Sequence, residues 1–304
     1  MNRTILPAAI VLVLSACLGN TMALAATPID QTRALAAHGR IEIDNLKGRI
    51  QVRGWNRNEV HVTGSLGTGV EKLVIEGSGD HLEVRAQYPK QLGAWRGDRT
   101  GPTELLLQVP LRASLDIQSV SADVDVDGVA PDDLGVDTVS GDIVAAAAPQ
   151  HADITSVSGG MRVTLNSPDV KVETVSGAIV LRGRLNGQVH GETVAGKLSI
   201  DSAGEAVRRL SANTVSGAVD VRTALANDGD IKAETVSGDI HLALPRSLSA
   251  RVSAESFSGS LAAPGARVQK EEFGPGSSLE QRYGSGAGEI HLQTFSGDAQ
   301  LTLQ

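Results

Sequence analysis

Cysteine is almost absent from this chain, since Cys17 is the only one among 304 residues. It lies in the N-terminal apolar stretch, so export would either remove it or acylate it. The remaining chain then has no thiol that could form a disulfide, bind a metal or act as a nucleophile. Its stability must come from packing and backbone hydrogen bonds.

Aromatic residues are also scarce, at 2% of the chain, and the recurring apolar positions hold Ala, Val, Ile and Leu. We expect a thin core between two sheets that lie close together. No Lys/Arg cluster is present, and the formal net charge is -8 with a pI near 5.4. These values argue against nucleic acid as a partner and against binding to anionic lipid.

The N-terminus is typical of a secretory signal peptide, predicted over residues 1–25 and followed by a leader, 26–38, with helical tendencies. Met1-Asn2-Arg3 precedes an apolar run from Ile5 to Leu14 that is too short to span a membrane. Cleavage after Ala25 is favoured, while Leu14-Ser15-Ala16-Cys17 resembles a lipobox and leaves lipidation of Cys17 as the alternative. Either route predicts export to the periplasm or cell envelope of a bacterium; membrane attachment, as an outer-membrane lipoprotein, follows only if Cys17 is lipidated.

A four-residue motif, Thr-Val-Ser-Gly with small variations, recurs along the chain, which is typical of a repeat architecture. Its serines are spaced by 18 to 21 residues, with a final gap of 38 that indicates one coil with an insertion. The clearest Ser-Gly pairs are Ser140-Gly141, Ser158-Gly159, Ser176-Gly177, Ser216-Gly217, Ser237-Gly238, Ser258-Gly259 and Ser296-Gly297.

Apolar residues alternate on both sides of the motif, which predicts two strands per repeat, each with one buried face. The residues expected to face inward have even numbers before the motif, as in Val170, Val172 and Thr174. They have odd numbers after it, as in Val175 and Ile179. This change of parity predicts a bend between Thr174 and Val175. Glycine supplies the backbone freedom that such a bend needs. The predicted fold is an all-β solenoid of roughly ten coils, each with two main strands, stacked at the spacing of sheet neighbours.

The solenoid is predicted to occupy residues 111–304, with an insertion at 264–288. Residues 39–110 are predicted to form a first coil followed by an irregular β segment that caps the N-terminal end. A further prediction concerns the residue two before the motif serine. Hydroxyl side chains at this position should form a ladder that satisfies its own hydrogen bonds: Ser119, Thr138, Ser156, Thr174, Thr193, Thr214, Thr235, Ser256 and Thr294.

Two long polar insertions are the candidate binding sites, because loops on a rigid scaffold commonly carry function. They contain four of the seven aromatic residues, in segments where no core requires them. The candidate binding residues are Tyr88, Trp95, Arg96, Arg99, Phe273 and Tyr283.

No catalytic or metal-binding motif is evident, and no cofactor is expected. The seven histidines lack metal-ligand spacing, and Asp142, Asp239 and Asp298 recur too irregularly for a calcium-binding repeat. No serine lies in a G-x-S-x-G motif. The chain is therefore predicted not to be an enzyme; a polysaccharide-active β-helix remains as the second alternative.

The Thr-Val-Ser-Gly-Asp-Ile repeat, the opening segments Gly39–Asn45 and Gly48–Trp55, and the export signal together resemble the bacterial domain family of unknown function labelled "putative adhesin". The resemblance runs from about Gly39 to Gln304 and implies a β-solenoid at the cell envelope. It supplies no catalytic residues. The leading hypothesis is a non-catalytic, adhesin-like envelope protein that binds an envelope protein or a surface glycan. The first alternative is a sensor or scaffold partner of an envelope-stress system.

Overall fold

The structure is a computed structural model, and it describes residues 27–89, 100–270 and 274–304. All regular elements in these residues are β-strands. The first ten are β1 (Thr27–Trp55), β2 (Glu59–Leu66), β3 (Lys72–Gln87), β4 (Thr103–Pro110), β5 (Ser114–Val129), β6 (Asp133–Ser140), β7 (Ile143–Ala147), β8 (His151–Ser158), β9 (Met161–Leu165) and β10 (Ser167–Ser176). The others are β11 (Ile179–Arg182), β12 (Leu185–Ala195), β13 (Leu198–Ser216), β14 (Val219–Ser237), β15 (Ile240–Leu244), β16 (Ala250–Ser258), β17 (Leu261–Ala262), β18 (Val268–Lys270), β19 (Ser277–Tyr283), β20 (Gly288–Ser296) and β21 (Ala299–Leu303).

The strands stack as a solenoid, which confirms the predicted fold class. Each coil has one strand before the motif and one after it, and equivalent residues of neighbouring coils pair in parallel. Val170 pairs with Val189 before the motif, and Ile179 pairs with Leu198 after it. Because the pairing is in register, every motif position forms a column along the solenoid.

The core lies between the two strands of each coil, and the alternation of side chains accounts for it. Val172, Thr174, Ile179 and Leu181 are all buried. Val175 is 49% exposed, so the expectation that it continues the inward face is wrong. Val175 follows the buried Thr174 on β10 and therefore points outward; the chain bends at residues 177–178, after β10 ends at Ser176, rather than between Thr174 and Val175 as predicted.

The motif glycines form a column in which neighbouring backbones lie very close together. Gly177 has φ +155°, and a Cβ placed on it would lie 2.1 Å from the carbonyl oxygen of Gly159. The same contact recurs from coil to coil, so Gly196 approaches Gly177 in turn. A side chain at this position would clash with backbone, which explains why the motif requires glycine.

The buried hydroxyl column does not satisfy itself, contrary to the prediction. Among the described residues, its hydroxyls bond to backbone carbonyls at the bend: Thr138 donates to Ser140 (3.2 Å), and Thr193 donates more weakly to Gly177 (3.4 Å). The hydroxyls of Thr174, Thr214 and Thr235 have no hydrogen-bond partner. Their spacing along the column follows the strand spacing of about 4.8 Å, which is too long for a hydroxyl–hydroxyl bond.

Coil order at the C-terminal end differs from chain order. The serine of β14, Ser237, pairs with Ser296 of β20, and Ser296 pairs in turn with Ser258 of β16. The last coil of the chain, β20–β21, therefore lies between β14–β15 and β16–β17. The insertion that separates β17 from β20 in the chain forms strands β18 and β19. β19 pairs antiparallel with β16 and covers its outer edge.

A related arrangement occurs at the N-terminal end. In β1, Ile41 pairs with Leu82 of β3 on one side and with Leu115 of β5 on the other. The coil formed by β1 therefore lies inside the stack, and β3 and β4 form the coil beyond it. Residues 27–34, expected to have helical tendencies, instead form a strand antiparallel to β2, which in turn pairs with β4. This segment caps the solenoid.

Candidate functional site

The column of residues that precede the motif serine is the most distinctive surface of the molecule. Each of its nine apolar side chains is 42–55% exposed, although such residues are usually buried. We call this column the apolar ladder. In spatial order it comprises Val120, Val139, Val157, Val175, Val194, Val215, Val236, Phe295 and Phe257.

The backbone holds the ladder in place through the serines that follow it. The hydroxyl of Ser140 donates to the carbonyl of Val120 (3.2 Å), and that of Ser158 donates to the carbonyl of Val139 (3.3 Å). Each of these bonds joins one coil to the preceding rung. The bend thus satisfies backbone acceptors while leaving the valine side chains in contact with solvent.

Two phenylalanines end the ladder near the C-terminus. The rings of Phe257 and Phe295 are stacked, with centroids 4.7 Å apart and planes 7° apart. They are 38 residues apart in sequence and become neighbours only because the β20–β21 coil lies beside β16. Sequence reasoning missed this pair; the available signal was phenylalanine in place of valine in two motif copies.

A groove of about 800 Å³ follows the C-terminal half of the ladder. Its apolar floor comprises Val215, Val236, Phe295 and Phe257. At its far end the wall is formed by residues 276–278, which lead into β19, and Ser277 of this segment is paired with Ser256. The wall exists because β19 folds back on β16.

One side of the groove is acidic. Glu192, Glu234 and Glu255 all line it, and they occupy equivalent positions on their strands, two residues before a ladder residue. Lys232 pairs with Glu234 at 2.9 Å but is not itself part of the lining. Among the described residues that line the groove, none is Lys, Arg or His. The groove therefore combines an apolar floor with negative charge on its edge.

The predicted binding residues lie elsewhere, and only two of them fall within the described residues. Tyr88 is half-buried and donates its hydroxyl to the buried side chain of Asn45 at 2.8 Å. Tyr283 packs against the core and donates to the carbonyl of Pro264 at 2.6 Å; burial raises the pKa of its hydroxyl. Both therefore contribute to the framework, and their role in binding remains a prediction. Trp95, Arg96, Arg99 and Phe273, together with Cys17 and the predicted signal peptide, lie outside the described residues.

The structure brings together one set of potential metal ligands that the sequence did not suggest. His190 Nε2 lies 3.3 Å from Glu173 and 3.5 Å from Glu192. Imidazole and carboxylate are ligand types that bind zinc. However, the other Glu173 oxygen lies 3.0 Å from Lys171 Nζ, and the cluster is open to solvent, so these contacts are those of an ion-pair network. The repeat length indicates this contact in the sequence, because Glu173 and Glu192 occupy the same position in consecutive coils and are therefore paired.

The aspartates considered as calcium ligands have a different role. Asp142 accepts a bond from the amide of Gly160 (2.8 Å), and Asp298 accepts one from the amide of Ser260 (2.8 Å). The Ser260 amide and hydroxyl hold the pKa of the Asp298 carboxyl below its usual range. These carboxylates bond the backbone of the next coil, so their role is structural.

Comparison with known protein families gives a match to Toastrack DUF4097 over residues 38–302. This chain belongs to the Toastrack DUF4097 family. The matched range spans the stacked coils of this Toastrack protein, whereas residues 27–34 of the N-terminal cap precede it. A comparison with curated proteins found no significant match.

Solved structures similar to this Toastrack protein come from bacteria. A structure described as a putative adhesin from Parabacteroides distasonis has a TM-score of 0.52 at 12% identity, with 91% of this chain and 98% of that chain covered. This likeness supports the fold. A putative adhesin from Bacteroides fragilis (TM-score 0.44, 11% identity, 91% and 97% covered) and a putative lipid binding protein from P. distasonis (0.43, 10%, 91% and 97%) are more distant. Among the described residues, no helix has the length and apolar character needed to cross a membrane.

Proposed function

We propose that this protein is a non-catalytic, adhesin-like binding protein of the bacterial cell envelope, exported by the N-terminal signal and able to bind an envelope protein or surface glycan. The observation that supports it is the apolar ladder. Contiguous exposed apolar surface is uncommon on soluble monomers and is typical of interaction sites. Here the register of the solenoid extends that surface over nine consecutive coils.

The form of the ladder also favours binding over catalysis. Its rungs are valine and phenylalanine, and the groove beside them offers hydroxyl, amide and carboxylate groups. Acid–base catalysis requires a positioned group with a matched pKa near the reacting atoms, and nucleophilic catalysis requires an activated nucleophile. A rigid apolar surface with a polar edge is instead the usual composition of a binding interface.

Attachment of cells provides the test. Bacteria that produce this protein would be compared with a deletion strain and with strains that carry either the wild-type gene or the Val236→Ser/Phe257→Ser/Phe295→Ser variant. We expect the deletion and the variant to reduce attachment to the same extent. Immunoblots of the envelope fraction would check that the variant is exported in normal amounts.

Three results would contradict the proposal. Normal attachment in the deletion strain would exclude an adhesin-like role, and a change in envelope-stress gene expression alone would favour a sensor. Reduced attachment in the deletion strain but not in the variant would show that the protein mediates attachment through a surface other than the ladder. Absence of the wild-type protein from the envelope fraction would exclude the proposed location.

A further inference from the structure

The spacing of the groove floor restricts what can lie along it. Val215, Val236, Phe295 and Phe257 occupy consecutive coils, which repeat at about 4.7–4.9 Å. An α-helix advances about 5.4 Å per turn, so its apolar face would drift by only about 2 Å over these four rungs. An extended strand repeats on one face every ~6.6 Å and would drift by about three times as much.

The charge of the groove gives the second restriction. Glu192, Glu234 and Glu255 line one side, and the groove has no cationic lining residue among those described. The chain as a whole carries a formal net charge of -8. A basic partner is therefore attracted both at long range and at the edge of the groove, whereas an acidic partner or an anionic lipid surface is repelled.

We propose that this groove binds a basic amphipathic α-helix of a partner protein. The helix lies along the ladder with its apolar residues, spaced i, i+3, i+4 and i+7, on the floor formed by Val215, Val236, Phe295 and Phe257. Lys or Arg side chains on its flank pair with Glu192, Glu234 and Glu255. The four rungs accommodate roughly three turns of helix. This proposal rests on the proposed function, because it names the partner of the same surface.

The test uses synthetic peptides of about 14 residues made only of Leu and Lys, with binding to the mature protein measured by calorimetry at low and moderate salt. The first peptide has helical periodicity. The second has the same composition in strict alternation, which favours a strand. A third keeps the helical pattern but has Glu in place of Lys. We expect the first peptide to bind at least about tenfold more tightly than either of the others.

Variants of the protein locate the site. Phe257→Ser/Phe295→Ser should weaken binding of the helical peptide by about tenfold or more, because aromatic side chains dominate apolar interfaces. Glu192→Gln/Glu234→Gln/Glu255→Gln should weaken it at low salt and reduce its dependence on salt. Leu111→Ser/Val144→Ser is the matched control, since it removes two exposed apolar side chains that lie outside the ladder and should leave affinity unchanged. Urea unfolding of each variant checks that it is folded.

Several outcomes would overturn the proposal. Equal binding of the helical and alternating peptides would show that the helix register is irrelevant. Unchanged affinity in the phenylalanine variant, or an equal loss in the control variant, would remove the groove as the site. Binding to phosphatidylcholine vesicles with no binding to the peptide would indicate a lipid surface. If no peptide binds but cell attachment still requires the ladder, the helix proposal fails while the proposed function stands.

Discussion

Gly177 illustrates how a single residue type can be required by close contact between backbones. Its position combines φ +155° with a Gly159 carbonyl oxygen 2.1 Å from where a Cβ would lie. Gly135 provides a contrast, because a Cβ there would make only ordinary contacts, the nearest at 3.7 Å. Glycine is therefore necessary at the first position and replaceable at the second.

The first prediction follows from this contrast. Gly177→Ala should lower the free energy of unfolding by about 3 kcal/mol or more, since the new methyl group can be accommodated only if two coils move apart. Gly135→Ala should change it by less than about 1 kcal/mol, because alanine restricts the unfolded chain without a clash. Urea unfolding measures both, and similar losses in the two variants would contradict the close contact at the bend.

The second prediction concerns Tyr88, whose hydroxyl donates to the fully buried side chain of Asn45. Tyr88→Phe should reduce the free energy of unfolding by about 1–2 kcal/mol, because it leaves a buried acceptor without its donor. Tyr283→Phe is the matched control. The hydroxyl of Tyr283 donates to an exposed carbonyl, so its removal should reduce the free energy of unfolding by less. Equal unfolding midpoints for wild type and Tyr88→Phe would show that the hydroxyl does not stabilise the fold, which would favour the predicted role of Tyr88 in binding a partner.

Sequence reasoning was accurate for residues whose side chains alternate and failed where the backbone bends. Val172 and Ile179 were predicted to be buried and are. Val175 was expected to be buried because valine is apolar and its parity matches Ile179. Parity is informative only along a continuous strand: Val175 belongs to β10, where it alternates with the buried Thr174, and the parity changes only at the bend over residues 177–178. The same argument, applied to each motif copy, places the equivalent valines in the core and so conceals the apolar ladder.

Among the strands, a connection between neighbouring coils recurs at the residue after the motif glycine. Where this residue is aspartate, its carboxylate can accept a bond from the amide at the same position of the next coil. Asp298 has both roles. Its amide donates to the carboxylate of Asp239 (2.9 Å), and its own carboxylate accepts from the amide of Ser260 (2.8 Å). The aspartates thus bond one bend to the next.

The third prediction is that Asp298 contributes stability that depends on pH. Its folded-state pKa is depressed, so the contribution is present above the ordinary value of 3.8 and is lost as pH falls through the folded-state pKa. Asp298→Asn keeps an acceptor oxygen but cannot ionise. We expect the variant to be less stable than wild type at pH 7, with the difference in urea midpoint narrowing below about pH 4.

The control for this experiment is Asp80→Asn, which changes an exposed carboxylate in β3. The urea midpoint of Asp80→Asn should differ little from that of the wild type at every pH. If the deficit of Asp298→Asn persists unchanged to about pH 3, the bond to Ser260 does not depend on the charge of the carboxylate, and the stated origin of the pKa shift is wrong.

Strand positions were predictable even where the repeat is lost, because alternation and glycine-rich turns are local signals. Alternating apolar residues predict strands at 60–63 and 104–109, and these residues lie within β2 and β4. Their partners were not predictable. That β4 joins the parallel stack beside β1 depends on long-range pairing, and alternation alone contains no information about which strand lies beside which.

For the whole molecule, the main surprise is the order of coils at its two ends. A regular solenoid adds each coil to the outside of the previous one. Here β1 lies between β5 and the β3–β4 coil, and β20–β21 lies between β14–β15 and β16–β17. Residues 40–53 of β1 and the β20–β21 coil are thereby held inside the stack, and strands with antiparallel neighbours cover the outside. Such caps protect the sheet edges from pairing with other chains.

The repeat motif could not reveal this order, because all its copies present nearly the same surface to a neighbour. Ser258 follows Ser237 by a normal spacing of 21 residues, so the sequence indicates that their coils are adjacent. The structure places the coil of Ser296 between them. Phe257 and Phe295 would be neighbours in either order, but the observed order makes Phe257 the outermost rung of the ladder, beside the edge of β16 that β19 covers.

The fourth prediction tests the coil order directly by disulfide formation in a mature chain that lacks Cys17. Ser237 and Ser296 are exposed and paired on adjacent strands, so their Cα atoms lie about 4.8 Å apart, within the range that a disulfide spans. Ser237→Cys/Ser296→Cys should therefore form an internal disulfide on mild oxidation, detected by mass spectrometry of peptides. Ser237 and Ser258 are two strand spacings apart, about 9.5 Å, so Ser237→Cys/Ser258→Cys should remain reduced. The reverse result would mean that the coils follow chain order and that Phe295, not Phe257, is the outermost rung of the ladder.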